Sequence, residues 1–199
     1  PARDVTLYAV WGYDENGDDK PDVSEETYTM TYDANGGYFG DDIAAATKTV
    51  KNLLAQKEYK LDYTNRPARL EQGGTKYAFI SWTKEQDTKI YELGDERPSG
   101  ISSVDIAADT KVYAAWGIDS DGDGTADINE TSYNIAAKVN GKGGTIDPNG
   151  MVAVTEGANK TFNIKPNEGK AVDAIRIQKL DEDGQVISGE TKTYRNTKG

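Results

Sequence analysis

Cysteine and histidine are both absent from this 199-residue chain. Without them there is no thiol nucleophile, no disulfide and no zinc–thiolate site, and the commonest general base and transition-metal ligand is missing too. The lack of cysteine does not fix a compartment, because it suits a cytosolic protein and a disulfide-free surface protein equally. Long apolar runs are also missing: no window approaches the ~20 consecutive apolar residues that span a bilayer, and Pro1-Ala2-Arg3-Asp4 is neither a signal peptide nor an initiator methionine. Direct membrane insertion is therefore not expected, and the chain reads as a fragment of a longer one. Basic residues are outnumbered, 23 Lys and Arg against 34 Asp and Glu, for a net charge of -11. A surplus of that sign argues against nucleic acid or an anionic membrane as partner, since both need clustered cations to displace counterions. It favours a cation.

What the chain does have is enough apolar material for a modest core, with 36% hydrophobic residues and a mean hydropathy of -0.75. Twelve Tyr and three Trp dominate it, and aromatic and β-branched residues pack well on a pleated surface. The expected fold class is mainly β, with α+β left open because residues 43–54 read either way. There Ala44-Ala45-Ala46 and Leu53-Leu54 suit a helix, while Thr47-Lys48-Thr49-Val50-Lys51 suits a strand. A strand after a short helical turn is the preferred reading.

The organisation comes from an internal repeat. Leu7-Tyr8-Ala9-Val10-Trp11-Gly12-Tyr13-Asp14 is echoed 105 residues later by Val112-Tyr113-Ala114-Ala115-Trp116-Gly117-Ile118-Asp119. Thr27-Tyr28-Thr29-Met30-Thr31 is echoed by Ser132-Tyr133-Asn134-Ile135-Ala136. Residues 1–13 then read as the tail strand of a preceding repeat, 14–25 as a linker, 26–117 as one complete module, 118–130 as a second linker, and 131–199 as a further module. Within the complete module, strands are expected at residues 28–32, 77–82 and 110–116. A tight turn is expected at Asp33-Ala34-Asn35-Gly36-Gly37, whose residues tolerate positive φ, and an Arg66-Pro67 break is expected between strands. Trp11 and Trp116 share one place in the repeat and are expected in the core. Trp82 stays open between the core and an exposed stacking platform.

The two linkers have calcium-loop spacing. A twelve-residue EF-hand-like loop needs oxygen ligands at positions 1, 3, 5, 7, 9 and 12 and a turn residue at 6. Residues 119–130 supply Asp119, Asp121, Asp123, the Thr125 carbonyl, Asp127 and Glu130, with Gly124 at the turn. At the repeat offset, residues 14–25 supply Asp14, Asn16, Asp18, the Lys20 carbonyl, Asp22 and Glu25. Asp19 stands where the turn glycine belongs, a departure expected to weaken that site, because aspartate enters the left-handed region more readily than most residues but less readily than glycine. Two Ca2+ sites are expected. The acidic run 181–184 has Gln185 at its fifth position and is expected to be a hairpin turn instead.

Tyr28-Thr29-Met30-Thr31-Tyr32-Asp33-Ala34-Asn35-Gly36-Gly37, then Tyr77-Ala78-Phe79-Ile80-Ser81-Trp82-Thr83, then Thr110-Lys111-Val112-Tyr113-Ala114-Ala115-Trp116, resembles the internalin B-repeat, also called the Listeria–Bacteroides repeat. Ser81 replaces that family's usual Gly before Trp82, and residues 43–69 align poorly. Residues 133–184, through Gly143-Gly144-Thr145-Ile146-Asp147-Pro148-Asn149-Gly150 and Lys165-Pro166-Asn167-Glu168-Gly169, resemble a divergent form of the same repeat. In that form a further strand follows the position of Tyr194, so the last module is expected to lack an edge. The resemblance implies tandem, small, β-grasp-like modules on an extracellular, cell-wall-attached bacterial surface protein. It also implies a non-enzymatic spacer or adhesive role, and no catalytic residues to carry over. Neighbouring modules of the same chain are the expected partners. A module binding a host glycan or surface protein is the alternative, and an external location fits millimolar calcium.

Overall fold

The structure is a computed structural model and describes residues 3–181 and 184–196. It is mainly β, with no α-helix among the described residues. The strands divide between two compact units, one comprising residues up to 132 together with 155–159, the other residues 133–154 and those from 160 onward.

In the first unit, β1 (Tyr28–Asp33), β2 (Thr47–Leu53), β4 (Tyr77–Thr83), β5 (Ile90–Tyr91) and β7 (Thr110–Ile118) form one mixed sheet. Its order is β2-β1-β7-β4, and β5 also pairs with β7. The two central strands run parallel, with Met30 opposite Thr110 and Tyr32 opposite Val112, while β2 and β4 flank them antiparallel. β3 (Gln56–Lys60) and β6 (Ser103–Ile106) form a separate antiparallel ribbon.

Alternation along β7 sorts its side chains onto two faces. Val112, Ala114 and Trp116 join Met30, Tyr32, Leu61, Phe79, Trp82, Val104 and Ile106 in the main core, so ribbon residues cover that side. Ala115 lies in a second cluster with Ala78, Tyr91, Ala126 and Ile128. The main core is aromatic. Trp82 sits edge-on to Tyr32 with centroids 5.0 Å apart and tilted against Phe79 at 4.9 Å. Both buried indoles place their N–H, as such rings require: Trp82 Nε1 donates to the Asp62 carbonyl and Trp116 Nε1 to the Ala34 carbonyl, each at 2.9 Å. Trp82, at 0% exposure, is a core residue and no stacking platform.

The turn after β1 closes with Gly37 N donating to the Ala34 carbonyl, and its two central residues, Asn35 (φ 47°) and Gly36 (φ 87°), both take positive φ. Gly37 has a different reason to be glycine. A Cβ there would lie 2.3 Å from the Ala68 carbonyl oxygen and 2.5 Å from the Trp116 ring.

Residues 43–54 resolve as a turn followed by strand β2. The polar stretch up to Gly100 contains the short strand β5, which the sequence did not suggest. Trp116 is buried at 2% exposure, but the expectation of a core position for Trp11 is corrected. Trp11 is 89% exposed, and residues 3–13 form no strand. Its repeat counterpart is flanked by β1 and β4, whereas among the described residues this segment has no neighbouring strand against which to bury a ring.

The second unit contains three two-stranded ribbons: β8 (Ser132–Ala137) with β10 (Gly150–Thr155), β9 (Gly144–Asp147) with β11 (Asn163–Pro166), and β12 (Ala174–Leu180) with β13 (Val186–Arg195). Of the acidic run expected as a hairpin turn, Glu182 and Asp183 lie outside the described residues. On either side of them, Asp181 N donates to the Gln185 carbonyl and Gly184 N to the Asp181 carbonyl, joining β12 to β13.

Candidate metal centres

The loop at residues 119–130 leaves the end of β7 and is fixed to the sheet at several points. Asp119 N donates to the Lys76 carbonyl (3.1 Å), and Arg97 donates from Nη2 to the Ile128 carbonyl (3.1 Å). Ala126 and Ile128 are buried in the second cluster. Gly117 permits this seating, since a Cβ there would stand 2.8 Å from Ala126 Cβ and 3.0 Å from Ile80 Cδ1.

Inside the loop the aspartates fold the backbone around themselves. Asp119 Oδ1 accepts from Gly122 N (2.6 Å) and its Oδ2 from Gly124 N (3.1 Å). Asp121 accepts from Asp123 N and Asp123 from Thr125 N. Gly122 and Gly124 both take positive φ, 81° and 92°, which glycine adopts without steric cost.

Carboxylate oxygens of Asp119, Asp121 and Asp123 lie within 4.8 Å of one another, a group that could hold a metal ion. Asp119 is buried, Asp121 half-buried and Asp123 exposed. Glu130 closes the loop with Oε2 buried and without a hydrogen-bond partner. Burial first, then the charges of Asp123, Asp121, Asp127 and Asp119, push its carboxyl above the ordinary 4.5. Asp127 is buried and engaged locally, accepting from Ser120 N (2.9 Å) and Ser120 Oγ (2.5 Å). Thr125 is exposed.

The loop at residues 14–25 repeats this backbone plan. Asp14 accepts from Gly17, Asp18 and Asp19 N, Asp18 from Lys20 N, and Asp22 from Glu15 N. A single 3₁₀ turn follows at Asp22–Ser24, as one does at Asp127–Asn129. Asp19 takes φ 67°, so the residue in place of the turn glycine does enter the left-handed region. A Cβ on Gly12 would stand 2.6 Å from Pro21 Cβ, the same close approach as Gly117 to Ala126, 105 positions earlier in both partners.

The interiors of the two loops differ. Asn16 turns its Nδ2 toward Glu25 Oε2 (3.3 Å) and its Oδ1 toward Asp18 N (3.2 Å). The Lys20 ammonium sits 2.7 Å from Asp18 Oδ2. That contact lowers the Asp18 carboxyl below 3.8 and raises Lys20 above 10.5. Burial first, then Asp18, raises Glu25 above 4.5. The first loop therefore carries an internal cation beside its carboxylates, and Lys20 was expected there only for its carbonyl.

The ligand spacing does not mark Ser120, Lys76 or Arg97, which make their contacts through tertiary structure. The glycine pair Gly12 and Gly117 was visible in the repeat itself. The donor set of the second loop fits a hard cation. It offers oxygen only, brings Asp119, Asp121 and Asp123 within 4.8 Å of one another, and leaves one buried Glu130 carboxylate oxygen with no hydrogen-bond partner. Scans of the chain against family models, curated proteins and solved structures return no match.

Proposed function

We propose that this chain is a non-enzymatic, calcium-stabilised spacer and adhesive segment of an extracellular bacterial surface protein, built of tandem modules of the internalin B-repeat type. In this proposal Asp119, Asp121, Asp123, the Thr125 carbonyl, Asp127 and Glu130 hold one Ca2+. Asp14, Asn16, Asp18, the Lys20 carbonyl, Asp22 and Glu25 hold a second.

The observation that carries the proposal is the buried, partnerless Glu130 Oε2 in the loop that gathers Asp119, Asp121 and Asp123 within 4.8 Å of one another. A buried carboxylate oxygen is costly unless it is paired, and a divalent cation would supply the partner that Glu130 Oε2 lacks while offsetting the repulsion among the neighbouring aspartates. Oxygen-only donors with neither His nor Cys favour calcium over the softer transition metals. Bound ion would fix the conformation of each loop, and in the second it would stiffen the end of β7 that the loop leaves. The mixed sheet under its β3/β6 ribbon is the part of the module we read as β-grasp-like.

The test is calcium calorimetry with thermal melting in calcium and in chelator, on the wild type and on Glu130→Gln. The wild type should bind two ions and melt higher in calcium. The substitution should abolish one site, yet raise the melting temperature in chelator by about 1–3 °C, because it removes a repelled buried charge. A melting curve indifferent to chelator would sink the proposal. So would a Glu130→Gln protein that binds calcium like the wild type.

A further inference from the structure

Two unpartnered features of this chain match each other. Residues 3–13 form no strand, and Val5, Leu7, Tyr8, Val10, Trp11 and Tyr13 are each more than four-fifths exposed. Their sequence echoes that of β7 at the 105-residue offset, with Tyr8, Ala9, Trp11 and Gly12 matching Tyr113, Ala114, Trp116 and Gly117, and in the complete module β7 lies parallel against β1.

The counterpart of β1 at the same offset is β8. β10 is its sole strand partner among the described residues, whereas β1 has β2 on one edge and β7 on the other. The second edge of β8 is therefore open, and Tyr133 and Ile135 on this strand are exposed. An open strand edge offers unpaired N–H and C=O groups and is a template for an added strand.

We infer that the segment at residues 3–13 of one copy adds as a parallel strand to the free edge of β8 in a second copy. The register follows from β1 and β7. Met30 faces Thr110 and Tyr32 faces Val112; moving each partner by 105 places Ile135 opposite Val5, and Ala137 opposite Leu7, of the other molecule. The faces agree as well. Met30 and Tyr32 share the main core with Val112, Ala114 and Trp116, so Ile135 and Ala137 would share theirs with Leu7, Ala9 and Trp11. Donor and acceptor are different surfaces of the chain, so the contact is head-to-tail and leaves a free donor and a free acceptor at the ends of each assembly. None of the paired residues belongs to either metal loop, and the inference stands apart from the calcium proposal.

The chain has no cysteine, which makes disulfide trapping clean. Full-length Val5→Cys protein is mixed with full-length Ile135→Cys protein under mild oxidation, and in parallel with Ile177→Cys, a more exposed position on β12. The Val5/Ile135 cross-link should form at least tenfold faster than Val5/Ile177, although accessibility alone favours the latter. Light scattering of the uncross-linked chain should show an average mass that climbs above 21.6 kDa with concentration. Leu7→Asp, in a segment that forms no strand, should abolish that rise and leave the far-ultraviolet spectrum unchanged. A monomer at every concentration means that the segment's partner is another module, and it overturns the inference. Equal cross-linking at Ile177, association that survives Leu7→Asp, or a Val5→Cys/Ile135→Cys double variant that closes within one chain independently of concentration overturns it too.

Discussion

Asn35 does two jobs that can be separated. Its φ of 47° lies in the left-handed region, which costs an ordinary residue about 1–2 kcal/mol. Its buried amide donates to the Asp87 carbonyl (2.6 Å) and the Ala114 carbonyl (2.9 Å), while Oδ1 accepts from Gln86 Nε2 (3.1 Å). Asn35→Ala loses both functions and should cost about 2–4 kcal/mol in urea unfolding. Asn35→Gly keeps the backbone freedom and should recover about 1 kcal/mol of that; equal losses in the two variants would refute a backbone contribution. Asp62 is one of the groups that tie stability to acid pH. The Lys48 ammonium at 2.7 Å, then Thr64 and Asn65, hold its carboxyl well below the ordinary 3.8. A depressed value in the folded state means stability that is fully present above pH 3.8 and is lost as pH falls below it. The Asp62 side chain is 27% exposed, so solvent screening limits the effect to about 1–2 kcal/mol. Asp62→Asn should therefore melt lower than wild type at pH 6, with the gap closing steadily in melts taken from pH 3.8 down to 2.

At the scale of elements, the loop at residues 119–130 gains its position from β7 as much as from its own aspartates. Gly117→Ala changes no ligand, but its methyl would press on Ala126 and Ile80, an overpacking that costs about 1–3 kcal/mol. If the loop is seated through that contact, calorimetry should show calcium affinity at one site falling several-fold while the other site is unchanged. A purely global destabilisation would lower the melting temperature and leave both affinities alone. Strands β1 and β7 were legible because Met30 and Tyr32, and Val112 and Ala114, display their apolar residues at strand spacing; β4 was legible as an aromatic-rich run, but Phe79 and Trp82, three residues apart, reach one core through a register shift between Phe79 and Ser81 that no alternation marks. The ribbon β3/β6 was not. Gln56-Lys57-Glu58-Tyr59-Lys60 has one apolar-bodied residue in five, since only the inward face of an edge ribbon needs to be apolar, and Glu58 interrupts it with φ 54°. The turn position of Asp19 and the ligand spacing of both loops were readable. The Lys20 ammonium on Asp18 was not, because a side chain's reach across its own loop leaves no periodic trace.

At the scale of the whole chain, the repeat misled about burial and about the strand expected at its first copy. Trp11 and Trp116 have similar sequence contexts, yet the position of Trp116 has strands on both sides and that of Trp11 has none among the described residues; burial depends on neighbours that a local match does not contain. The two units differ for the same reason. The first has ten buried residues in its main cluster, whereas Ala137 is the only buried hydrophobic side chain among the described residues of the second. Its ribbons leave Tyr133, Ile135, Met151, Ile175, Ile177 and Tyr194 exposed. Apolar burial is the main favourable term opposing chain entropy, so the units should open separately. Native-state hydrogen exchange would resolve this. Amides of β1, β4 and β7 should exchange only through global opening of the first unit, while those of β8 to β13 exchange through lower-energy local openings, at least a hundredfold faster, a gap of about 2.8 kcal/mol. Calcium should slow exchange in residues 118–130 and the adjoining end of β7 and leave β12 and β13 as they were, because a ligand stabilises the unit that binds it. Uniform protection across both units would mean that they unfold as one, and that the sparse core of the second is compensated by contacts other than its own apolar residues.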